Sequence, residues 1–203
     1  ITICNHFSKI VKIIVIDDGS TINREYFNLV KKKVCLLKNS RNKGKGYSIK
    51  KAIKKIIVLQ DVKGIIIADS DGQHSINDIN KIIKQFKKKK NQIILGQRNF
   101  DILKTPIRNY IGNKISSIIF FIKLKIYIDT QCGLRAIPID VAIKNVSITQ
   151  NRYVFETIQL IDFFKNYKNR LKFLKIKTIY KKDNKSYFNF VKDSFEITNQ
   201  FFK

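Results

Sequence analysis

Short apolar runs alternate along the chain with longer segments of helical period, up to about residue 122. The short runs are rich in β-branched residues and are bounded by Gly, Asp or Asn, which is typical of strands. In the longer segments apolar residues recur every three or four positions, which is typical of amphipathic helices. The pattern predicts strands over residues 12–16, 33–37, 64–68 and 92–96, and helices over 22–30, 46–59 and 106–122. One more helix is predicted to follow an N-cap at Ser75 and to end at Phe86.

This alternation predicts an α/β domain with a mostly parallel sheet flanked by helices. The continuous apolar run at 64–68 agrees, because strands buried on both faces of such a sheet lack polar alternation. In these sheets ligands bind at the carboxyl ends of the strands. Two acidic pairs directly follow predicted strands, Asp17-Asp18 and Asp69-Ser70-Asp71. We therefore expect both pairs to face one crevice.

Composition limits the class of protein. The 203 residues fit one domain, and a hydrophobic fraction of 44% supplies a core, which excludes a disordered chain. The three cysteines are widely spaced and form no Cys-x-x-Cys pair. Neither a disulfide framework nor a zinc site is therefore expected, and a reducing compartment is favoured. No apolar run approaches the roughly 20 residues that a membrane helix needs.

The chain is strongly basic, with 41 Lys and Arg against 15 Asp and Glu and a formal net charge of +26. One interpretation is attraction to nucleic acid, anionic lipid or phosphorylated ligands. The other is compositional drift, because Lys, Ile and Asn are all abundant while Trp and Met are absent. The lysines are scattered along the chain, so composition alone leaves both interpretations open.

The carboxylates of Asp69 and Asp71 stand one residue apart after an apolar strand. Residues i and i+2 of an extended backbone project to the same side, so the two charges repel unless a cation lies between them. Mg²⁺ is usually held by one or two carboxylates and substrate phosphates, and Gln73 offers a further oxygen ligand. The alternative is a solvated turn with no ligand.

Phosphate-binding features occur near these acids. Gly44-Lys45-Gly46 opens a predicted helix, where backbone N–H groups and the helix dipole favour an anion. Arg98 ends a predicted strand and Arg108 begins the next helix, and a guanidinium binds phosphate through two hydrogen bonds. Taken singly, these features also fit an ordinary helix start and solvated charges.

The order and spacing of these segments resemble one enzyme family. The sequences "IVIDDGS", "NKGKG", "ADSDGQH", "GQR", "RNYIGNK", "DTQCGLRA" and "FETIQL" are similar to those of the family 2 glycosyltransferases of the GT-A fold. They look most like the branch of dolichyl-phosphate mannose synthase and the polyprenyl-phosphate glycosyltransferases. The resemblance implies an inverting transfer of a hexose from a GDP- or UDP-linked donor to an acceptor. In that branch the acceptor is a polyprenyl or dolichyl phosphate.

The resemblance also implies roles for individual residues. The nucleoside would face Asp17 and Asp18, the donor would lie near Gly44 and Lys45, and Mg²⁺ or Mn²⁺ would bind Asp69, Asp71 and Gln73. Phosphates would be bound by Arg98 and Arg108, and the acceptor-side wall would be formed by Asp129, Gln131, Gly133 and Arg135. Glu156 matches an acid whose role varies in the family, and Ser186 matches a small polar residue of a loop. A hydroxyl acceptor would need a base, for which Asp129 and Glu156 are candidates.

The predicted organisation is a catalytic domain over 1–180 and an amphipathic segment over 181–203. The segment fits either a core-covering helix or a helix lying on lipid, and the resemblance favours a cytoplasmic protein peripheral to a membrane. The family's first strand and its Pro-x-Tyr-Asn motif have no counterpart here, which predicts an open sheet edge. An impaired relative that acts as a partner subunit therefore stays open as an alternative. A basic nucleic-acid-binding domain is a further alternative, but it leaves the acidic strand ends unexplained, and no nucleic-acid partner is expected.

Overall fold

The structure, a computed structural model, describes residues 1–59, 61–98 and 107–179. The strands are β1 (Ile14–Asp17), β2 (Cys35–Lys38), β3 (Gly64–Ile67), β4 (Ile93–Arg98), β5 (Arg135–Pro138) and β6 (Leu171–Ile176). The α-helices are α1 (Thr2–Phe7), α2 (Lys45–Ile57), α3 (Ile76–Lys88), α4 (Ile107–Leu124), α5 (Ile139–Lys144) and α6 (Tyr153–Asn166). Short 3₁₀ turns cover Arg24–Leu29, Asn145–Ser147 and Lys168–Arg170. The predicted boundary at 180 and the segment 181–203 lie outside the described residues.

The described strands form two sheets. In one, β1 pairs in parallel with β2, with Asp17 opposite Lys38 at the carboxyl end. The other has the order β3-β5-β4-β6, in which β4 and β6 are parallel and β5 is antiparallel to both β3 and β4. The α/β class is confirmed, but the larger sheet is mixed. The reason is that the chain enters β5 at the carboxyl edge, where Arg135 lies opposite Ile67.

Each sheet ends in strands that have a single neighbour among the described residues. Within the described part of the chain, β1 pairs only with β2, and β3 pairs only with β5. Ile65, Ile66 and Ile67 of β3 are accordingly only partly buried, whereas Ile93, Ile94 and Leu95 of β4 are fully buried.

The core lies on both faces of the larger sheet, because alternate residues of β4 point to opposite sides. On one face Ile93 and Leu95 pack with apolar residues of α2, α5 and α6. On the other face Ile94 packs with α3 and with Phe7 of α1. The helix α2 therefore lies over the sheet with its first turn at the carboxyl edge, where the acidic residues are.

Two elements near the N-terminus differ from the prediction. The helix expected over 22–30 is only a 3₁₀ turn over Arg24–Leu29, preceded by Asn23 in the left-handed region at φ 55°. Its apolar residues Tyr26 and Leu29 are 53% and 61% exposed, so no buried face stabilises a longer helix. The helix α1 was not predicted, because its six residues are too few to show a period. Its Cys4 and Phe7 are buried.

The predicted N-cap of α3 is confirmed. The Ser75 hydroxyl accepts a hydrogen bond from the Asp78 backbone N–H at 3.0 Å and donates to the Asp78 carboxylate at 2.7 Å. This cap sets where the loop of residues 68–75 ends, and that loop carries the two acids that follow β3.

Candidate active site

The carboxylate of Asp18 caps the N-terminus of α2. Its two oxygens accept hydrogen bonds from the backbone N–H groups of Lys43 at 2.9 Å and Gly44 at 2.8 Å. Gly44 has φ 92°, and a Cβ there would meet Asn151 and Arg152, so only glycine fits. Of the backbone N–H groups that the sequence offered to a phosphate, that of Gly44 therefore already has an acceptor within the chain.

Asp17 is buried at the end of β1. One of its oxygens accepts a hydrogen bond from the backbone N–H of Ser20 at 2.8 Å. Burial alone would raise the pKa of Asp17, but the hydrogen bonds from Ser20 outweigh burial and lower it. The buried carboxylate therefore holds the β1 turn in place.

Lys45, in the first turn of α2, joins three elements. Its Nζ lies 2.6 Å from an Asp69 carboxylate oxygen and 3.0 Å from a Glu156 carboxylate oxygen. Asp69 follows β3 and Glu156 lies on α6. Acids from distant parts of the chain therefore meet on one ammonium group, next to the turn that Asp18 caps.

The charges of this cluster stabilise one another. Burial by itself would lower the pKa of Lys45, but the Glu156 and Asp69 carboxylates raise it well above its usual range. Burial would likewise raise the pKa of Asp69, but Lys45, together with a hydrogen bond from His74, holds it well below its usual range. The ammonium and the Asp69 carboxylate are therefore both charged at neutral pH.

His74 is a site residue for which the sequence gave no role. Its ring is buried, and its Nε2 lies 3.4 Å from the second Asp69 oxygen. Its Nδ1 is buried with no hydrogen-bond partner among the described residues. The only available signal was its place in the "DSDGQH" segment, five residues after Asp69.

Gly133 closes one side of the cluster. A Cβ at this position would overlap the Asp69 carboxylate and would lie 2.6 Å from Lys45 Nζ. The backbone of the loop before β5 therefore lies directly against the charged groups, which explains why a residue with a side chain does not fit there.

Asp71 and Gln73 lie in the loop after β3. Asp71 is exposed, and one of its oxygens accepts a hydrogen bond from the Gln73 backbone N–H at 2.9 Å. Among the described residues, no three His, Cys, Asp or Glu side chains are grouped to hold a metal ion. A pair of carboxylates nevertheless fits Mg²⁺ or Mn²⁺ when phosphates complete the ligand set. The Lys45 ammonium on Asp69 shows that this place accepts a cation.

Arg98 and Asp129 form a buried pair. The guanidinium donates two hydrogen bonds to the carboxylate, at 2.7 and 3.1 Å, and both side chains are almost completely buried. The same carboxylate also accepts from Asn113 at 2.6 Å and from the backbone N–H of Gln131 at 3.1 Å. The pair ties β4 and α4 to the loop before β5. Gln131 itself is exposed.

Arg135 is 2% exposed and holds the loop before β5 against α6. Its guanidinium donates to the backbone carbonyl of Cys132 at 3.1 Å, to that of Glu156 at 3.2 Å and to the Gln159 side chain at 2.9 Å. Of the remaining predicted residues, Arg108 lies in the first turn of α4, and Ser186 lies outside the described residues. Their predicted roles stay predictions.

An open cavity of about 500 Å³ lies beside the first turn of α2. Its lining contains three cationic residues and no carboxylate: Arg41, Asn42, Lys43, Tyr47, Asn151 and Arg152. The Lys43 ammonium lies 4.6 Å from the centre of the Tyr47 ring and 3.3 Å from its hydroxyl. The volume and charge suit an anionic small molecule.

Comparison with known proteins shows the family of this chain and several proteins that it is similar to. Residues 2–139 match the family described as glycosyl transferase family 2. An uncharacterized protein of Methanocaldococcus jannaschii is 32% identical over 139 residues, which cover 63% of this chain and 60% of that protein. The dolichyl-phosphate beta-glucosyltransferase of Saccharomyces cerevisiae is 27% identical, covering 61% of this chain and 43% of the enzyme. A UDP-N-acetylglucosamine–dolichyl-phosphate N-acetylglucosaminyltransferase of Methanococcus voltae is 29% identical, covering 61% and 57%. The chain thus spans about half the length of the two named enzymes.

Among solved structures, glucosyl-3-phosphoglycerate synthase of Mycobacterium tuberculosis is similar, in a complex with Mn²⁺, uridine diphosphate and glucosyl-3-phosphoglycerate. The TM-score is 0.66 at 12% identity, covering 99% of this chain and 71% of that one. This likeness confirms the GT-A-like fold. Because the family match covers more than half of the residues, the chain belongs to glycosyl transferase family 2.

Proposed function

We propose that the chain transfers a hexose, with inversion, from a GDP- or UDP-linked donor to a polyprenyl or dolichyl phosphate. The observation that carries the proposal is the meeting of Asp69, Glu156 and Lys45 at the carboxyl edge of the sheet. The two named relatives act on dolichyl phosphate, and the similar solved structure contains uridine diphosphate and Mn²⁺. These facts support the proposed lipid phosphate acceptor, the proposed class of nucleotide-linked donor and the proposed divalent metal.

Residues of the chain would bind and orient the donor. Asp69 and Asp71, with Gln73, would hold Mg²⁺ or Mn²⁺, which when bound neutralises charge that develops on the leaving diphosphate. The cations Arg41, Lys43 and Arg152 around the open cavity would attract the donor's phosphates. Arg98 and Arg135 have buried partners, so we assign them to positioning the loop of residues 129–135, and we assign phosphate contact to Arg108.

A phosphate acceptor removes the need for a strong base. The second pKa of a phosphate monoester is about 6, so the acceptor oxygen is largely ionised at neutral pH. Asp129 does not suit the role of a base, because its two carboxylate oxygens both accept hydrogen bonds from Arg98. Glu156 pairs with Lys45, which suits an electrostatic role better than proton abstraction.

A lipid-linked acceptor would bring the protein to a membrane surface. Within the described residues, no helix combines the length and apolar character that crossing a bilayer requires. The net charge of +26 would favour an anionic leaflet, and we propose peripheral association at the cytoplasmic face.

A donor screen tests the proposed function. Radiolabelled UDP- and GDP-hexoses are incubated with the chain and polyprenyl phosphate, with Mn²⁺ and separately with EDTA. We expect a labelled lipid product from one donor, formed with Mn²⁺ and lost with EDTA. Product at equal rates in EDTA would contradict the metal, and the absence of product from every donor would contradict the transferase proposal.

Gly133 offers a test of the site's geometry. Replacing Gly133 by alanine would push a methyl group into Asp69 and Lys45. We expect transfer to fall about a hundred-fold, because displacements of about 1 Å in a site cost that much, and stability to fall by about 1–3 kcal/mol. Initial rates and urea unfolding measure the two effects, and an unchanged rate would contradict the placement of Gly133 at the site.

A further inference from the structure

Lys45 already provides the cation that the Asp69 site needs. Its ammonium contacts Asp69 and Glu156 at ion-pair distance, and its side chain is only 27% exposed. Gly133 lies on one side of the group and His74 contacts the far oxygen of Asp69. The ammonium is therefore held between carboxylates inside a partly enclosed site rather than extended into solvent.

The two carboxylates need this charge. Asp69 and Glu156 contact the same nitrogen, so without Lys45 they would repel each other across a short gap. A divalent ion that binds Asp69 would meet the opposite difficulty, because it would come into contact with an ammonium group of like charge. In the present arrangement Lys45 and a metal ion would therefore compete for the Asp69 carboxylate.

We propose that Lys45 is a built-in counter-ion that competes with the divalent metal for Asp69 and must leave that carboxylate when the metal binds. The binding of a metal at Asp69 rests on the proposed function. The competition between Lys45 and that metal goes beyond it. Glu156 would keep the ammonium within the site after its release from Asp69. The donor's diphosphate would then give the released ammonium a new anionic partner, so donor and metal would bind cooperatively.

The chemistry predicts that removing the ammonium strengthens metal binding. Lys45→Met deletes the competing charge and leaves Asp69 and Glu156 facing one gap. Because one nearby charge shifts ionic equilibria by one to three powers of ten, we expect Mn²⁺ alone to bind about tenfold tighter or more. Titration of free Mn²⁺ by electron paramagnetic resonance measures the affinity with no donor or acceptor present.

A matched control removes an equivalent lysine elsewhere. Lys81 forms a 3.0 Å ion pair with the buried Asp78 on α3. We expect Lys81→Met to leave Mn²⁺ affinity unchanged. The double variant Lys45→Met, Asp69→Asn should not bind Mn²⁺ more tightly than the unaltered chain. The increase in affinity depends on the Asp69 carboxylate that the loss of Lys45 sets free.

The proposed competition would be contradicted if Lys45→Met bound Mn²⁺ no more tightly than the unaltered chain. Lys45→Gln, which keeps a polar side chain without the charge, serves as a second neutral variant should the methionine variant fail to fold by circular dichroism. Since the titration contains no nucleotide sugar, its outcome is separate from that of the donor screen. Absence of transfer with tighter Mn²⁺ binding would refute the proposed function and leave the competition standing.

Discussion

Replacing Asp71 by asparagine is expected to lower kcat/KM for glycosyl transfer by about a hundred- to a thousand-fold, equivalent to about 3–4 kcal/mol of transition-state stabilisation. The carboxylate is exposed, and one of its oxygens accepts a 2.9 Å hydrogen bond from the Gln73 backbone N–H. The fold should therefore tolerate the change. Rates at saturating and limiting donor, with Mn²⁺ present, measure the effect.

An exposed aspartate at the other end of the same strand provides the control. Asp61 precedes β3, at the edge opposite the site, and its side chain is 93% exposed. Asn tolerates its left-handed backbone at φ 64°. Asp61→Asn should leave both rate and stability nearly unchanged. Equal losses in the two variants would mean that the effect of Asp71 is general charge and not a specific site.

Replacing Asp129 by asparagine is expected to lower the free energy of unfolding by about 3–5 kcal/mol, because the buried Arg98 guanidinium would lose its carboxylate. Urea unfolding measures the loss. Replacing both residues with apolar ones, as in Arg98→Met with Asp129→Leu, should recover much of it, because no buried charge is then left uncompensated.

The exposed pair Arg170–Asp140 also forms two hydrogen bonds, at 2.7 and 3.1 Å. Its Asp140 side chain is 57% exposed, so Asp140→Asn should cost less than about 1 kcal/mol. The contrast between the two pairs measures what burial, together with the further donors to Asp129, adds to the cost. Equal costs for both would contradict the assignment of Arg98 and Asp129 to a buried structural role.

The sequence predicted the parts of the fold that depend on local pattern. The apolar run before Asp69 and the cap at Ser75 are short-range features, and both are present in the structure. The order of strands and helices was sufficient to place Asp17, Asp18, Asp69 and Asp71 at strand ends. The direction of β5 was not predictable, because a strand's period is the same whether it runs parallel or antiparallel.

Local sequence pattern also does not predict which side chains distant in sequence contact one another. Asp18 meets Gly44 26 residues away, and Arg98 meets Asp129 31 residues away. Periodicity places such residues on a face or at a strand end but does not specify which charges meet. For this reason the pattern predicts a phosphate ligand at Arg98 and does not indicate the contact between Lys45 and Glu156.

The most direct test of the account is whether Mn²⁺ and a nucleoside diphosphate bind this chain together through Asp71. Isothermal titration with UDP and with GDP, in Mn²⁺ and in EDTA, compares the unaltered chain with Asp71→Asn. The account predicts that Mn²⁺ tightens binding of one nucleotide about tenfold or more and that Asp71→Asn removes this gain. Equal affinity in Mn²⁺ and EDTA, or an undiminished gain in the variant, would contradict a metal-assisted donor site at the end of β3.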